Sequence, residues 1–121
     1  MKKLTPKEEQ IMQVLWQLEK AFVKDIIEEL PEPRPHYNTV STIIRLLEER
    51  GVVSHKAYGN SHQYYPLLSK RAYTRAIMGD VLADYFDNSV KRLVAFFAEE
   101  EKLDEEELAE IKRIIEQKNK E

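Results

Sequence analysis

The stretch Tyr37–Gly51, Y-N-T-V-S-T-I-I-R-L-L-E-E-R-G, decides the fold. Val40, Ile43, Ile44 and Leu47 recur at helical spacing and form one apolar stripe. Gly51 stands where a left-handed residue ends a helix. The other face carries Asn38, Ser41, Thr42 and Arg45, which are short polar groups and one arginine. A merely solvated face usually carries several Lys and Glu, and here these come only later, at Glu48, Glu49 and Arg50. Short side chains let a helix approach another surface closely, and Asn, Ser, Thr and Arg are groups that hydrogen-bond base edges and phosphates. The pattern predicts a helix whose N-terminal half fits a major groove.

The residues after Gly51 predict a wing. Val52–Ala57 and His62–Pro66 are rich in β-branched and aromatic residues and flank Tyr58-Gly59-Asn60-Ser61, so they read as a hairpin turning at Gly59-Asn60. That register sets Ala57 opposite His62 and leaves His55 a diagonal neighbour, roughly 7–8 Å away. Tyr64 and Tyr65 point to opposite faces, one to the core and one outward. Lys56, Asn60 and His62 are candidates for backbone contacts, Lys56 as a flexible point charge.

Upstream, Thr5-Pro6-Lys7-Glu8 is a helix start with a cap, a proline at the first position and a capping-box glutamate. Ile11, Met12, Leu15, Trp16 and Leu18 continue it as an apolar stripe. Val23, Ile26, Ile27 and Leu30 form a second helix, stopped by Pro31, Pro33 and Pro35. The order helix, helix, helix, hairpin over residues 4–67 is that of a winged helix-turn-helix. The expected class is therefore mainly α with a small β-hairpin: a DNA-binding domain at 1–67 and a helical dimerisation domain at 68–121.

In the second part Ser69 caps a helix carrying Tyr73, Ile77, Val81 and Tyr85 at four-residue spacing, with Met78, Leu82 and Phe86 alongside. Asp87-Asn88-Ser89 breaks it. Val90, Leu93, Val94 and Phe97 then mark a fifth helix, and Leu108, Ile111 and Ile115 a sixth, capped by Asp104 with Glu107. Apolar faces this broad on so short an arm must be buried somewhere, most simply against a second copy about a twofold axis. Tyr73, Ile77, Val81, Val90, Leu93, Val94, Phe97, Leu108, Ile111 and Ile115 are the expected dimerisation residues.

Composition bounds the alternatives. The chain has 121 residues and no cysteine, so disulfides and thiolate metal sites are excluded. Met1-Lys2-Lys3 leads into Leu-Thr-Pro-Lys-Glu-Glu rather than an apolar run, and no window is apolar over the ~20 residues that span a bilayer. A cytoplasmic protein without direct membrane insertion is expected. The net charge of -3 sits in the tail: residues 1–66 hold nine basic and nine acidic side chains, residues 67–121 ten and thirteen. Local charge, not the net value, governs affinity for phosphates. His36, His55 and His62 do not converge as a metal site needs, and no metal or other cofactor is expected. Glu99–Glu101 and Glu105–Glu107 lack the alternation of a calcium loop. No phosphate loop, nucleophile elbow or H-E-x-x-H is present, so no enzyme is expected.

Four segments in order resemble the penicillinase and methicillin-resistance repressors (BlaI/MecI type). They are L-T-P-K-E-E-Q-I-M-Q-V-L-W from Leu4, T-V-S-T-I-I with E-E-R-G-V-V, Q-Y-Y-P-L-L-S, and L-V-A-F-F-A-E-E-E-K-L-D-E-E-E-L. The likeness runs from Leu4 to about Ile115. It implies a homodimeric winged-helix repressor that binds double-stranded, dyad-symmetric operator DNA. In the best-known members, a membrane-bound metalloprotease that senses β-lactam antibiotics triggers cleavage in the C-terminal part. This chain departs from the pattern in four ways. Family members commonly have an arginine directly before a single leucine in this helix, and here that position is Leu46, with Arg45 one residue earlier, so the operator sequence does not carry over. Asn60 stands where the wing tip often has Arg or Lys. Phe96-Phe97 stands at the Asn-Phe cleavage position. The C-terminal cysteines of copper-responsive relatives are missing.

The expected function is thus sequence-specific repression by a homodimer released by a signal acting on the C-terminal arm, with proteolysis one form of that signal. Asn38, Thr39, Ser41, Thr42, Arg45, Lys56, Asn60 and His62 are the expected DNA contacts, and Phe96-Phe97 the candidate cleavage point. The rival is a winged-helix protein-interaction module that touches no DNA, which the acidic net charge favours.

Overall fold

The computed structural model describes residues 3–120. Its elements are α1 (Pro6–Leu18), α2 (Val23–Glu28), α3 (Tyr37–Glu49), β1 (Val53–Tyr58), β2 (Ser61–Pro66), α4 (Lys70–Tyr85), α5 (Val90–Glu99) and α6 (Glu105–Asn119). They form two compact units, dividing between Ile77 and Met78.

Local chemistry sets the helix ends of the first unit. The Thr5 hydroxyl accepts from the Glu8 N–H at 3.2 Å, and the Glu8 carboxylate accepts from the Thr5 N–H at 2.9 Å, a complete capping box. Arg34 donates to the carbonyls of Leu30 and Glu28, at 3.3 and 3.0 Å, beyond the end of α2. Gly51, at φ +77°, ends α3. Its N–H donates to the Glu48 carbonyl at 3.0 Å and the Val52 N–H to the Leu47 carbonyl at 2.9 Å, a Schellman closure that turns the chain into β1.

β1 and β2 pair antiparallel, Val53 with Pro66 through Tyr58 with Ser61, and Ala57 lies opposite His62 as expected. Gly59, at φ +61°, takes the first central position of the two-residue turn. Ala21 adds a third, one-residue rung: its N–H and carbonyl exchange hydrogen bonds with Tyr64 at 2.9 and 2.8 Å. That rung fixes the start of α2 beside the wing.

The core gathers Met12 and Leu15 of α1, Ile26 of α2, Val40, Ile44 and Leu47 of α3, and Val53 of β1, all fully buried. Tyr64 is buried and Tyr65 exposed, as strand alternation requires. The unit does not stop at residue 67. Tyr73, expected on the dimerisation arm, is 5% exposed and belongs to this core. Its hydroxyl accepts from the Leu4 N–H at 3.0 Å, and its ring lies 5.8 Å from that of Trp16, whose Nε1–H donates to the Leu68 carbonyl at 2.8 Å. Ile77 packs against the same core. The first turns of α4 therefore close the winged unit, which moves the division from residue 67 to Ile77.

The second unit has the expected helix breaks. Asp87 and Asn88 adopt φ of +51° and +60°, the Ser89 hydroxyl caps α5 by accepting from the Arg92 N–H, and Asp104 caps α6 by accepting from the Glu107 N–H. Phe86 meets Phe96 edge-on at 5.6 Å, and Phe96 meets Phe97 at 5.5 Å. Among the described residues from 78 onward, none is buried.

Candidate nucleic-acid interface

α3 presents its face in angular order, at ~100° per residue. With Val40, Ile44 and Leu47 turned into the core, Asn38, Thr42 and Arg45 lie near the opposite pole and are exposed. Ser41 and Tyr37 lie to the side facing the wing. Arg45 folds back to donate from Nε to the Ser41 carbonyl at 3.3 Å. Glu49 shares the exposed pole one turn further on. A carboxylate there repels phosphates, so the N-terminal half of the helix is the half suited to DNA.

A cleft of about 210 Å³ separates this helix from the wing, lined by Val23, Tyr37, Ser41, Arg45, Asn60, His62 and Tyr64. The fold thus brings together four residues picked from sequence: Ser41 and Arg45 on α3, Asn60 and His62 on the hairpin. Beside it lies a second depression, lined by Phe22, Val23, Lys24, Tyr37, Tyr58, Ser61 and His62. Lys24 and Tyr37 were not picked out from sequence. Lys24 is held beside the wing by the Ala21–Tyr64 rung, for which a single alanine gives no signal, and Tyr37 by the first turn of α3.

Two expected contacts sit elsewhere. Thr39 lines a separate cavity of about 370 Å³ with Lys7, Ile11, Leu30 and the three loop prolines, on the α1 side of the helix. Lys56 alternates to the other face of the hairpin, where its Nζ lies 5.4 Å from the centre of the Tyr58 ring. Two other basic groups of the region have intramolecular partners: Arg34 at the end of α2, and Arg50, whose Nη1 donates to the Glu8 carboxylate at 2.9 Å.

The histidines correct one expectation. His55 and His62 are diagonal in register, yet their rings stack in parallel at 4.0 Å, with 9° between planes. Ala57, opposite His62, is too small to hold the rings apart. His55 Nδ1 also meets the Glu48 carboxylate of α3 at 2.7 and 2.9 Å, so a side-chain tie joins the helix to the wing. Burial pushes the Tyr64 hydroxyl above the ordinary tyrosine range, and the Glu48 charge adds to the shift. Among the described residues no group of His, Asp and Glu is arranged to hold a metal ion, and no helix is long and apolar enough to cross a membrane.

Three helices, a hairpin wing and an exposed polar helix face beside it define a winged helix-turn-helix of the DNA-binding class. Residues 4–117 match the penicillinase repressor family, and the chain belongs to this family of DNA-binding transcriptional repressors. Similar relatives include the methicillin resistance regulatory protein MecI of Mammaliicoccus sciuri, 26% identical over 90% of this chain and 89% of the relative. The penicillinase repressor of Bacillus licheniformis is 25% identical over 89% of this chain and 85% of its own length. Among solved structures, the DNA binding domain of the repressor BlaI covers 60% of this chain and 94% of its own, with a TM-score of 0.51 and 25% identity. The hsRosR-S4 complex structure shares the fold, with a TM-score of 0.56 over 84% of this chain and 92% of its own at 16% identity.

Proposed function

We infer that the chain represses transcription as a homodimer on a dyad-symmetric operator, with one α3–wing cleft engaging each half-site. The observation that carries this reading is the gathering of Ser41, Arg45, Asn60 and His62 around one cleft, next to exposed Asn38 and Thr42. In this reading Asn38, Thr42 and Arg45 meet base edges, while Ser41, Asn60 and His62 meet backbone. Lys24 flanks them as a phosphate contact, while Thr39 and Lys56, which sit away from the cleft, take no part in this reading. The arm residues Val81, Val90, Leu93, Val94, Phe97, Leu108, Ile111 and Ile115 join the two copies. Coupling two half-sites raises avidity ~100–10,000-fold through effective concentration.

Any signal that parts the arms would release the operator, in the cytoplasm where the DNA is. A membrane-bound sensor metalloprotease would act at this step. The Phe96–Phe97 bond lies inside α5, and a protease needs an extended backbone, so cleavage there requires α5 to unwind first.

A salt titration on the duplex of its own promoter tests the reading. Log affinity should fall linearly with log salt, by ~0.9 per phosphate contact. No duplex binding at low salt would leave the protein-interaction module as the better account. Arg45→Ala should cost ~1–3 kcal/mol of operator affinity and relax specificity at one position. Equal losses on operator and random duplex would reduce Arg45 to a phosphate contact.

A further inference from the structure

The stacked histidines have a use that a packing role does not require. His55 is on β1, His62 on β2 and Glu48 on α3, and the three side chains form one chain from helix to wing. Glu48 and His55 form its half-buried end, with side chains 29% and 28% exposed. His62 is its exposed end, in the cleft with Ser41, Arg45 and Asn60.

Imidazoles change charge between pH 5 and 8. A proton on His55 meets the Glu48 carboxylate at 2.7 Å and is locally neutralised. A second proton on His62 would set two cations face to face at 4.0 Å. The other charged and titratable groups around the pair do not offset it. Arg45 and Tyr37 of α3, Lys24 of α2, and Tyr58 and Tyr64 of the hairpin bring only positive or neutral side chains at neutral pH. Among the described residues, Glu48 is the carboxylate in contact with the pair, and it is engaged by His55. A second anion on the outer side of His62 would relieve the repulsion, and a DNA phosphate in the cleft is such an anion.

We propose that the His55–His62 pair makes DNA binding proton-linked: the phosphate that enters the α3–wing cleft is bound together with a proton taken up on the pair. Affinity then rises as pH falls, and the wing contact is strongest in mildly acidic conditions. The proton comes from solvent, and no covalent bond changes. This inference rests on the reading that the cleft meets DNA.

The test is a set of affinities of the full chain for its promoter duplex, from pH 6 to 8 at constant ionic strength. Linkage gives a slope approaching tenfold per pH unit for each half-site that takes up a whole proton. The wild-type chain should lose affinity as pH rises. His62→Gln should flatten the profile, with a larger loss of affinity at pH 6 than at pH 8. His55→Gln should reduce the slope, and His36→Gln, at the N-cap of α3, should keep it in full. Calorimetry in two buffers of different ionisation enthalpy should count the same proton uptake as the slope.

A flat wild-type profile would overturn the proposal, as would a wild-type slope in His62→Gln, or a slope removed by His36→Gln. Absence of duplex binding at every pH and at low salt would overturn it together with the DNA reading. Salt-dependent binding with a flat pH profile would overturn it alone.

Discussion

The two halves of the molecule are built to different degrees of completeness. The winged unit closes its own core: seven side chains from α1, α2, α3 and β1 are under 2% exposed, and Tyr73 seals the edge. Among the described residues, the unit from Met78 onward buries nothing fully, yet it exposes Phe96, Phe97, Leu108, Ile114 and Ile115 by 41–64% and Val90 by 60%. Its helices are nevertheless capped and its breaks well formed, so secondary structure is specified while the core is missing. A chain that leaves this many large apolar residues uncovered needs another surface to complete it. The winged unit closes its core within one chain, and in the proposed dimer the second copy would complete the core of the arm.

The strongest way to break this contrast is to charge the arm. Phe97→Glu should part the two copies and lower operator affinity by ~100-fold or more, through lost effective concentration. The winged unit should keep its secondary structure, read by circular dichroism. An unchanged affinity would mean that the arm plays no part in binding.

Next in size is a cavity in the closed core. Leu47→Ala should destabilise the winged unit by ~2–5 kcal/mol in denaturant titration, because Leu47 is fully buried and its neighbours come from several elements. Ile114→Ala should change melting only in proportion to the shift in self-association, and so depend on protein concentration.

Tyr73→Phe sharpens where one unit ends. It leaves the Leu4 N–H unpaired beside a buried ring and should cost about 1–3 kcal/mol of winged-unit stability, with self-association unchanged. A weakened dimer with an unchanged melt would return Tyr73 to the arm.

The smallest effect concerns acid. Burial raises the Glu8 pKa, but the Thr5 N–H, the Arg50 guanidinium and the Thr5 hydroxyl together outweigh it and hold the carboxyl below its usual value of 4.5. A depressed folded pKa stabilises above the unfolded value, and that stability is lost as pH falls through the folded one. Acid titration of the winged unit should therefore show a loss beginning near the ordinary carboxylate range and completing below it. Glu8→Gln should remove that part of the transition and leave the core transition in place.

Much of this arrangement is legible in the sequence because it rests on local chemistry. The Thr5–Glu8 capping box, the Asp104 cap, the Gly51 stop, the Gly59-Asn60 turn and the alternation of Tyr64 and Tyr65 each depend on residues a few positions apart. The features that escape a sequence reading depend on distant partners. Tyr73 shares four-residue spacing with Ile77, Val81 and Tyr85, and spacing alone cannot say that one end of a continuous stripe faces Leu4 and Trp16. The His55–His62 stack depends on a small neighbour, Ala57, which average cross-strand distances ignore. Lys24 lies beside the wing because Ala21 pairs with Tyr64, and Tyr37 reaches the cleft from the first turn of α3. In the candidate site, the helix face is readable from its polarity, while the other side of the cleft comes from the fold.

Sedimentation of the full chain across a dilution series, with and without its promoter duplex, tests the central contrast most directly. The predicted result is a species of twice 14.3 kDa that binds the duplex as two chains and dissociates on dilution with loss of arm helicity but not of the winged fold. A 14.3 kDa monomer that keeps all its helices and binds the duplex as one chain would contradict it.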